Sequence, residues 1–245
     1  ASRLIPHTAM VLAAGFGRRM LPLTETMPKP LVRLAGRPLI DHALDRIADA
    51  GIICAVVNVH HFADMLETHV VRRTRPQIVI SDERSAVLET GGGVVKALPL
   101  LGPDPFLIHN SDAVWIEEAA RNGKSNIERL IAAWDGGRMD ALLLVAPTRI
   151  MLGYDGKGDF SMDNGGRLLR RGEGGIAPLV FTGVSIAHPR LLDGAPAGPH
   201  SLNIPWNAAL ARGRLFGVLA DGRWMHVGTP AGLAEAERCM RGAAS

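Results

Sequence analysis

Short, unbroken apolar runs alternate along the first part of this chain with longer segments whose apolar residues recur at helical spacing. Thr8 to Ala13 is such a run, stopped by Gly15, and reads as a strand buried on both faces. Ile53 to Val59, Gln77 to Ser81, Phe106 to His109 and Asp140 to Pro147 read the same way. Between them, Pro38 to Ala50 puts Leu39, Ile40, Ala43, Leu44, Ile47 and Ala48 on one helical face, with Pro38 suited to the first turn and Gly51 to the stop. Phe62 to Arg73 and Ser125 to Trp134 are further predicted helices, and Gly92 to Leu98 a short one.

This rhythm predicts βαβ units in a doubly wound, mostly parallel α/β sheet of Rossmann-like type. The texture changes after Pro147. Residues 153 to 175 are rich in Gly, Asp and Arg and predict a β-meander, a small inserted β-rich lobe. Leu179 to Ala187 and Leu215 to Leu219 predict strands, Asn203 to Ala211 and Thr229 to Met240 helices. With no internal repeat and no linker in view, a single domain over 1–245 is expected, in two halves of about 8–147 and 148–245.

Composition narrows the class. Of 245 residues, 47% are hydrophobic and 21% charged, which suits a folded chain with a sizeable core. The 27 basic and 24 acidic residues leave +3, compatible with phosphate handling but too little for a nucleic-acid partner. Cys54 and Cys239 belong to no Cys/His cluster and are expected to be free thiols. No run approaches the ~20 apolar residues of a membrane helix, and the apolar stretch near the start is too short for a signal peptide. A cytoplasmic location with no membrane partner is expected; oligomeric state is not readable.

The chemistry concentrates where predicted strands end, the usual ligand position in open parallel sheets. After the first strand comes Leu12-Ala13-Ala14-Gly15-Phe16-Gly17-Arg18-Arg19-Met20, continuing to Pro22-Leu23-Thr24 and Pro28-Lys29-Pro30-Leu31. Glycines let backbone N–H groups approach phosphate oxygens, Arg19 offers a fork of donors, and Lys29 adds a point charge. A dinucleotide fingerprint would need glycine where Met20 stands, and a P-loop would need Gly-Lys-Ser/Thr. Leu88-Glu89-Thr90-Gly91-Gly92-Gly93 offers backbone against which a flat base could lie. Asn110-Ser111-Asp112 closes another strand with a carboxylate suited to Mg²⁺.

The first of these segments resembles the signature of the sugar-1-phosphate nucleotidyltransferase family, LAxGxGTRxxPLTxxxPKPL, with Arg18 in place of the usual Thr. The resemblance covers nearly the whole chain and implies an enzyme that joins a nucleoside triphosphate to a sugar-1-phosphate and releases pyrophosphate. It implies catalytic roles for Arg19, Lys29 and Asp112, and nucleotide contacts from Ala13, Ala14, Gly15, Phe16, Gly17, Arg19, Glu89, Gly92 and Asn110, with Glu83 a further candidate. The first half then binds nucleotide and the second sugar, with Gly158, Asp159, Thr182 and Gly183 facing the sugar. The Leu-Glu-Thr-Gly-Gly-Gly wording is most similar to members that act on UTP and N-acetylmuramate-1-phosphate in cell-wall recycling; guanylyltransferases of mannose or heptose phosphates resemble it less.

A last motif, Trp224-Met225-His226-Val227-Gly228-Thr229, departs from the family's Trp-x-Asp-x-Gly-Thr, whose Asp is the second metal ligand. Imidazole suits Mn²⁺ or Zn²⁺ better than Mg²⁺. Three readings stay open: Asp112 and the triphosphate hold Mg²⁺ alone, His226 ligates another metal, or His226 donates to phosphate. A nucleotide-binding regulatory homologue with weakened metal-dependent turnover is the rival class. Hexapeptide repeats are absent, so no appended acyltransferase is expected.

Overall fold

The structure, a computed structural model, describes residues 5–117 and 123–243. Four parallel strands form its centre: β1 (Thr8–Leu12) pairs on one side with β6 (Phe106–Asn110) and on the other with β4 (Cys54–Val59), which pairs with β5 (Gln77–Asp82). β6 continues into the antiparallel β12 (Leu179–Ala187), then β8 (Ala141–Pro147), and finally β13 (Leu215–Leu219), parallel to β8. The hairpin of β10 (Phe160–Met162) and β11 (Leu168–Arg170) joins β12 through Phe160 and Leu179, so one nine-stranded sheet crosses both halves of the chain. The mostly parallel, doubly wound architecture is as the sequence rhythm predicts.

Alternation along the strands explains the layers. Val11 and Val57 point to one face, where Ile40, Leu44 and Ile47 of α1 (Leu39–Asp49) and Leu66 and Val70 of α2 (Ala63–Val70) cover them. Met10, Val56 and Ile108 point to the other, under Val94 and Ala97 of α3 (Glu89–Leu101) and Trp206 and Ala209 of α5 (Asn203–Ala211). α4 (Asn126–Ala133) starts from a full capping box in which Ser125 and Glu128 exchange side-chain and backbone bonds. Before β8, the buried Asp140 carboxylate accepts from Arg190, Arg212 and Arg214. Burial alone would raise its pKa, and the three guanidiniums hold it down at about 2.

Three expectations need correction, and one sheet was not foreseen. α3 starts at Glu89, not Gly92, so the glycine triplet lies inside its first turns; tight packing overrides glycine's low helix propensity there. Pro38 lies in β3 (Arg37–Pro38), which pairs with β2 (Arg33–Leu34), rather than in the helix. The meander reduces to the β10–β11 hairpin, whose turn is closed by Asp163 Oδ1 accepting from the N–H groups of Gly165 and Arg167. A separate small sheet, β7 (Ala113–Ile116), β14 (Arg223–His226) and β9 (Met151–Leu152), has no single-segment signal. Its cohesion is long-range: Trp115 and Trp224 stack at 4.2 Å, and the Arg46 guanidinium lies 4.1 Å over Trp115. Cys54 and Cys239 are unpaired, and among the described residues no helix is long and apolar enough to cross a membrane.

Beneath this stack lies His109 of β6, fully buried, its Nδ1 within 2.7 Å of the Asn110 carbonyl oxygen. Burial drives its pKa from the ordinary 6.5 down to about 4. Between those values the unfolded chain takes up a proton that the native chain refuses, so stability is full above about pH 6.5 and falls as pH drops toward 4. Thermal melts from pH 7.5 to 4.5 should show a loss on the order of 3 kcal/mol at the acid end. His109→Gln should flatten that profile; an unchanged slope in this variant would refute the assignment.

Candidate functional site

A cleft of about 450 Å³ opens where β1 and β6 end side by side, with Leu12 in register with Asn110. From β1 the next strands run to one side and β6 lies on the other, so the cleft occupies the topological switch point of the sheet. Its size is within the range of small-molecule sites. Leu12 to Gly15, Gly17 to Met20, Lys29, Glu83, Glu89, Thr90 and Asn110 to Asp112 all line it.

The loop after β1 is fixed at several points. Ala13 N–H donates to Asn58 Oδ1 at 2.6 Å, and Thr24 Oγ1 donates to the Gly17 carbonyl at 2.8 Å. Gly17 has φ +64°, and a Cβ there would stand 2.9 Å from Thr24 Cγ2 and 3.0 Å from Lys29 Cβ. Met20 plugs a small core with Leu34, Leu39, Val114 and Met225, and so anchors the turn that carries exposed Arg18 and Arg19 into the cleft. The Lys29 ammonium pairs with Asp112 Oδ2 across the floor. Lys29 is 14% exposed and Asp112 35%, so the pair borders the open cleft rather than the core.

His226 ends β14, in register with Ala113 beside Asp112. Burial lowers its pKa, and the charges of Arg19 and Lys29 lower it further against the pull of Asp112. The imidazole is therefore neutral with a lone pair to offer. Among the described residues no group of three or more His, Cys, Asp or Glu side chains stands together as a metal site. Of His, Cys, Asp and Glu side chains, a cation at Asp112 would thus take this carboxylate and at most the imidazole, with phosphate oxygens or water among its remaining ligands, a donor set that fits Mg²⁺ or Mn²⁺.

The other sequence candidates are held in structural contacts, some at the cleft wall and some away from it. Glu83 is fully buried; its carboxylate accepts from Asn58 Nδ2 at 2.8 Å and Leu88 N–H at 3.3 Å, holding β4 to the start of α3. Gly92 is buried, with its α-carbon against the Gly198 carbonyl. Phe16 turns outward, edge-on to His60 at 5.2 Å. Gly158 has φ +74° and packs so tightly on Ala177 that no Cβ would fit, and Asp159 Oδ2 accepts from Phe181 N–H at 2.9 Å. Thr182 spends its hydroxyl on the Leu144 carbonyl. Gly183, φ +94°, sits at an irregularity of β12 and touches the Asn110 side chain, the one of these four that reaches the rim of the cleft. Sequence reasoning missed Asn58, for which a polar residue near the end of the apolar run Ile53 to Val59 was the available signal, and did not single out Thr90 and Ser111 within the motifs that contain them.

Comparison with known proteins places the chain. The model of the family described as "MobA-like NTP transferase domain" matches residues 9–220. An N-acetylmuramate alpha-1-phosphate uridylyltransferase of Caulobacter vibrioides is 48% identical over 92% of this chain and 93% of its own length. Another, of Neisseria meningitidis serogroup B, is 35% identical over 94% and 96%. The crystal structure of a UDP-glucose pyrophosphorylase complexed with UDP-glucose superposes with a TM-score of 0.79 at 15% identity, covering 98% of this chain and 100% of that one, a likeness of fold.

The loop geometry gives a direct test. Gly17→Ala forces an L side chain into a left-handed conformation and against Thr24 and Lys29, whereas a Cβ on Gly15 meets nothing within 4 Å. Gly17→Ala should lose about 1–2 kcal/mol in denaturant unfolding and Gly15→Ala much less. Equal stability of the two variants would mean that the loop re-forms freely.

Proposed function

Because this chain belongs to the MobA-like NTP transferase family, we propose that it transfers uridylate from UTP to N-acetylmuramate-1-phosphate, with release of pyrophosphate. The observation that carries this reading is the Lys29–Asp112 pair on the floor of a cleft rimmed by Arg18 and Arg19, in a chain with two uridylyltransferase relatives matched over nearly their full lengths.

An oxygen of the sugar-1-phosphate attacks the α-phosphorus in line, a new P–O bond forms, and the bond to the β-phosphate oxygen breaks. The nucleophile is already an anion, so no general base is required. Arg19 grips the β- and γ-phosphates through its fork of donors, and Lys29 neutralises charge on the α-phosphate. Asp112, with neutral His226 beside it, would hold a divalent cation, which supplies charge stabilisation to the departing pyrophosphate. Catalysis is thereby positioning plus neutralisation. The backbone of Ala13 to Gly17 approaches the phosphates, Glu89 and Thr90 border the base, and Gly183 with Asn110 faces the sugar. A cytoplasmic enzyme would meet both substrates there.

The main test is a matrix of four nucleoside triphosphates against several sugar-1-phosphates, with Mg²⁺ and Mn²⁺ in parallel, read by pyrophosphate release. UTP with N-acetylmuramate-1-phosphate should give the highest kcat/KM; a preference for GTP with mannose-1-phosphate would overturn the substrate assignment, and tight nucleotide binding with no turnover would favour the regulatory reading. Lys29→Ala and Asp112→Ala should each lower kcat about 10²-fold or more while thermal melts stay close to the parent. Near-normal rates in both would remove the catalytic assignment.

A further inference from the structure

The glycine triplet at the start of α3 is packed against a loop from the other half of the chain. His200 accepts at its carbonyl from Gly91 N–H at 2.8 Å and Gly92 N–H at 3.2 Å, and its own N–H donates to Leu88 O at 3.2 Å. Two residues on, Leu202 N–H donates to Thr90 Oγ1 at 2.9 Å. The His200 ring is buried, with Nδ1–H donating to Gly198 O at 2.9 Å and Nε2 without a hydrogen-bond partner. A Cβ on Gly91 would stand 2.5 Å from that ring, and one on Gly92 would stand 2.6 Å from the Gly198 carbonyl. Glu89, between this clamp and the cleft, is held at φ +58°, a left-handed conformation that residues with side chains rarely adopt. Such backbone persists where its surroundings over-determine it.

The same loop leads straight into α5, whose Trp206 meets Phe181 of β12 edge-on at 4.8 Å. β12 in turn carries Gly183 against Asn110. We propose that His200 is a positioning residue: the loop 198–202 sets the backbone of Glu89 and Thr90 for the nucleotide and ties that rim mechanically to the sugar half. This rests on the reading that the cleft takes the nucleotide. It explains why Gly91 and Gly92 stand in a helix, where they cost propensity: the clamp leaves no room for a β-carbon at either.

Calorimetry with UTP and Mg²⁺, together with steady-state kinetics on the intact chain, tests it. His200→Ala should weaken UTP binding on the order of tenfold and raise its KM in parallel, with kcat within about twofold. His200→Asn, whose amide can still donate to Gly198 O, should recover most of the loss. Gly91→Ala should weaken UTP in the same way, and adding His200→Ala to it should cost less than the two changes separately, because the ring is what the new methyl meets. Failure of the parent to bind UTP would sink the nucleotide reading itself. A parent that binds UTP beside a His200→Ala variant of equal affinity would overturn the positioning role alone. So would a fall in kcat with unchanged KM. Should His200→Ala fail to fold, Gly91→Ala decides the question: unchanged UTP affinity there would equally overturn the clamp.

Discussion

The contact on which the site depends is the ion pair between Lys29 and Asp112, drawn from chain positions that only the sheet brings together. Lys29 arrives on a loop that leaves β1, and Asp112 on the turn that leaves β6, and the parallel register of those strands fixes where both begin. Because the pair borders open cleft, neither partner is committed to the core: an arriving phosphate can take the ammonium, and a cation can take the carboxylate. A fully buried pair would be costly to separate and would resist that exchange, whereas a fully exposed one would be mobile and weakly positioned.

What the glycines do divides along a line that composition cannot draw. Gly17 is required by the backbone, at positive φ and with Thr24 and Lys29 closing around it, so it fixes the shape of a loop that faces the cleft. Gly91 and Gly92 are required by packing, since the loop around His200 occupies the space beside them. Gly93 backs onto Asn58 and Glu83, the buried polar pair that links the end of β4 to the helix. A single carboxylate, Glu83, therefore serves both the loop after β1, through Asn58 and Ala13, and the start of α3, through Leu88. Glu83 borders the cleft chiefly as the strut between its two walls.

This explains which parts of the molecule could be read from the chain alone. The central strands and α1 are encoded locally, by continuous apolar runs and by helical spacing, and they stand within a residue or two of expectation. The loop after β1 is legible as a wall of the cleft because its glycines and cations are contiguous from Gly15 to Lys29. The sheet of β7, β14 and β9 is not: its strands are short, and what stabilises them is Trp115 against Trp224, more than a hundred positions apart. The clamp at His200 escaped for the same reason. Nothing in Gly198-Pro199-His200 announces a partner in the glycine triplet, and a backbone hydrogen bond leaves no mark on side-chain pattern.

His226 shows how the local field, rather than residue identity, sets what a position can do. An aspartate there would add a second negative charge beside Asp112, and the two would repel until a cation arrived. The imidazole, kept neutral by burial and by Arg19 and Lys29, would on the proposed function offer a donor without adding charge. The cleft then keeps three cations, Arg18, Arg19 and Lys29, against the carboxylates of Asp112, Glu83 and Glu89, a balance that a further aspartate would tip toward negative. On the proposed reaction those cations serve the greatest charge, that of the triphosphate and its leaving pyrophosphate. Side chains that need no reorganisation then carry part of the neutralisation a second anionic ligand would have directed to the metal. On that proposal the trade is consistent within itself: the cationic groups that, after burial, keep the imidazole neutral are also the groups that would stand in for a second carboxylate.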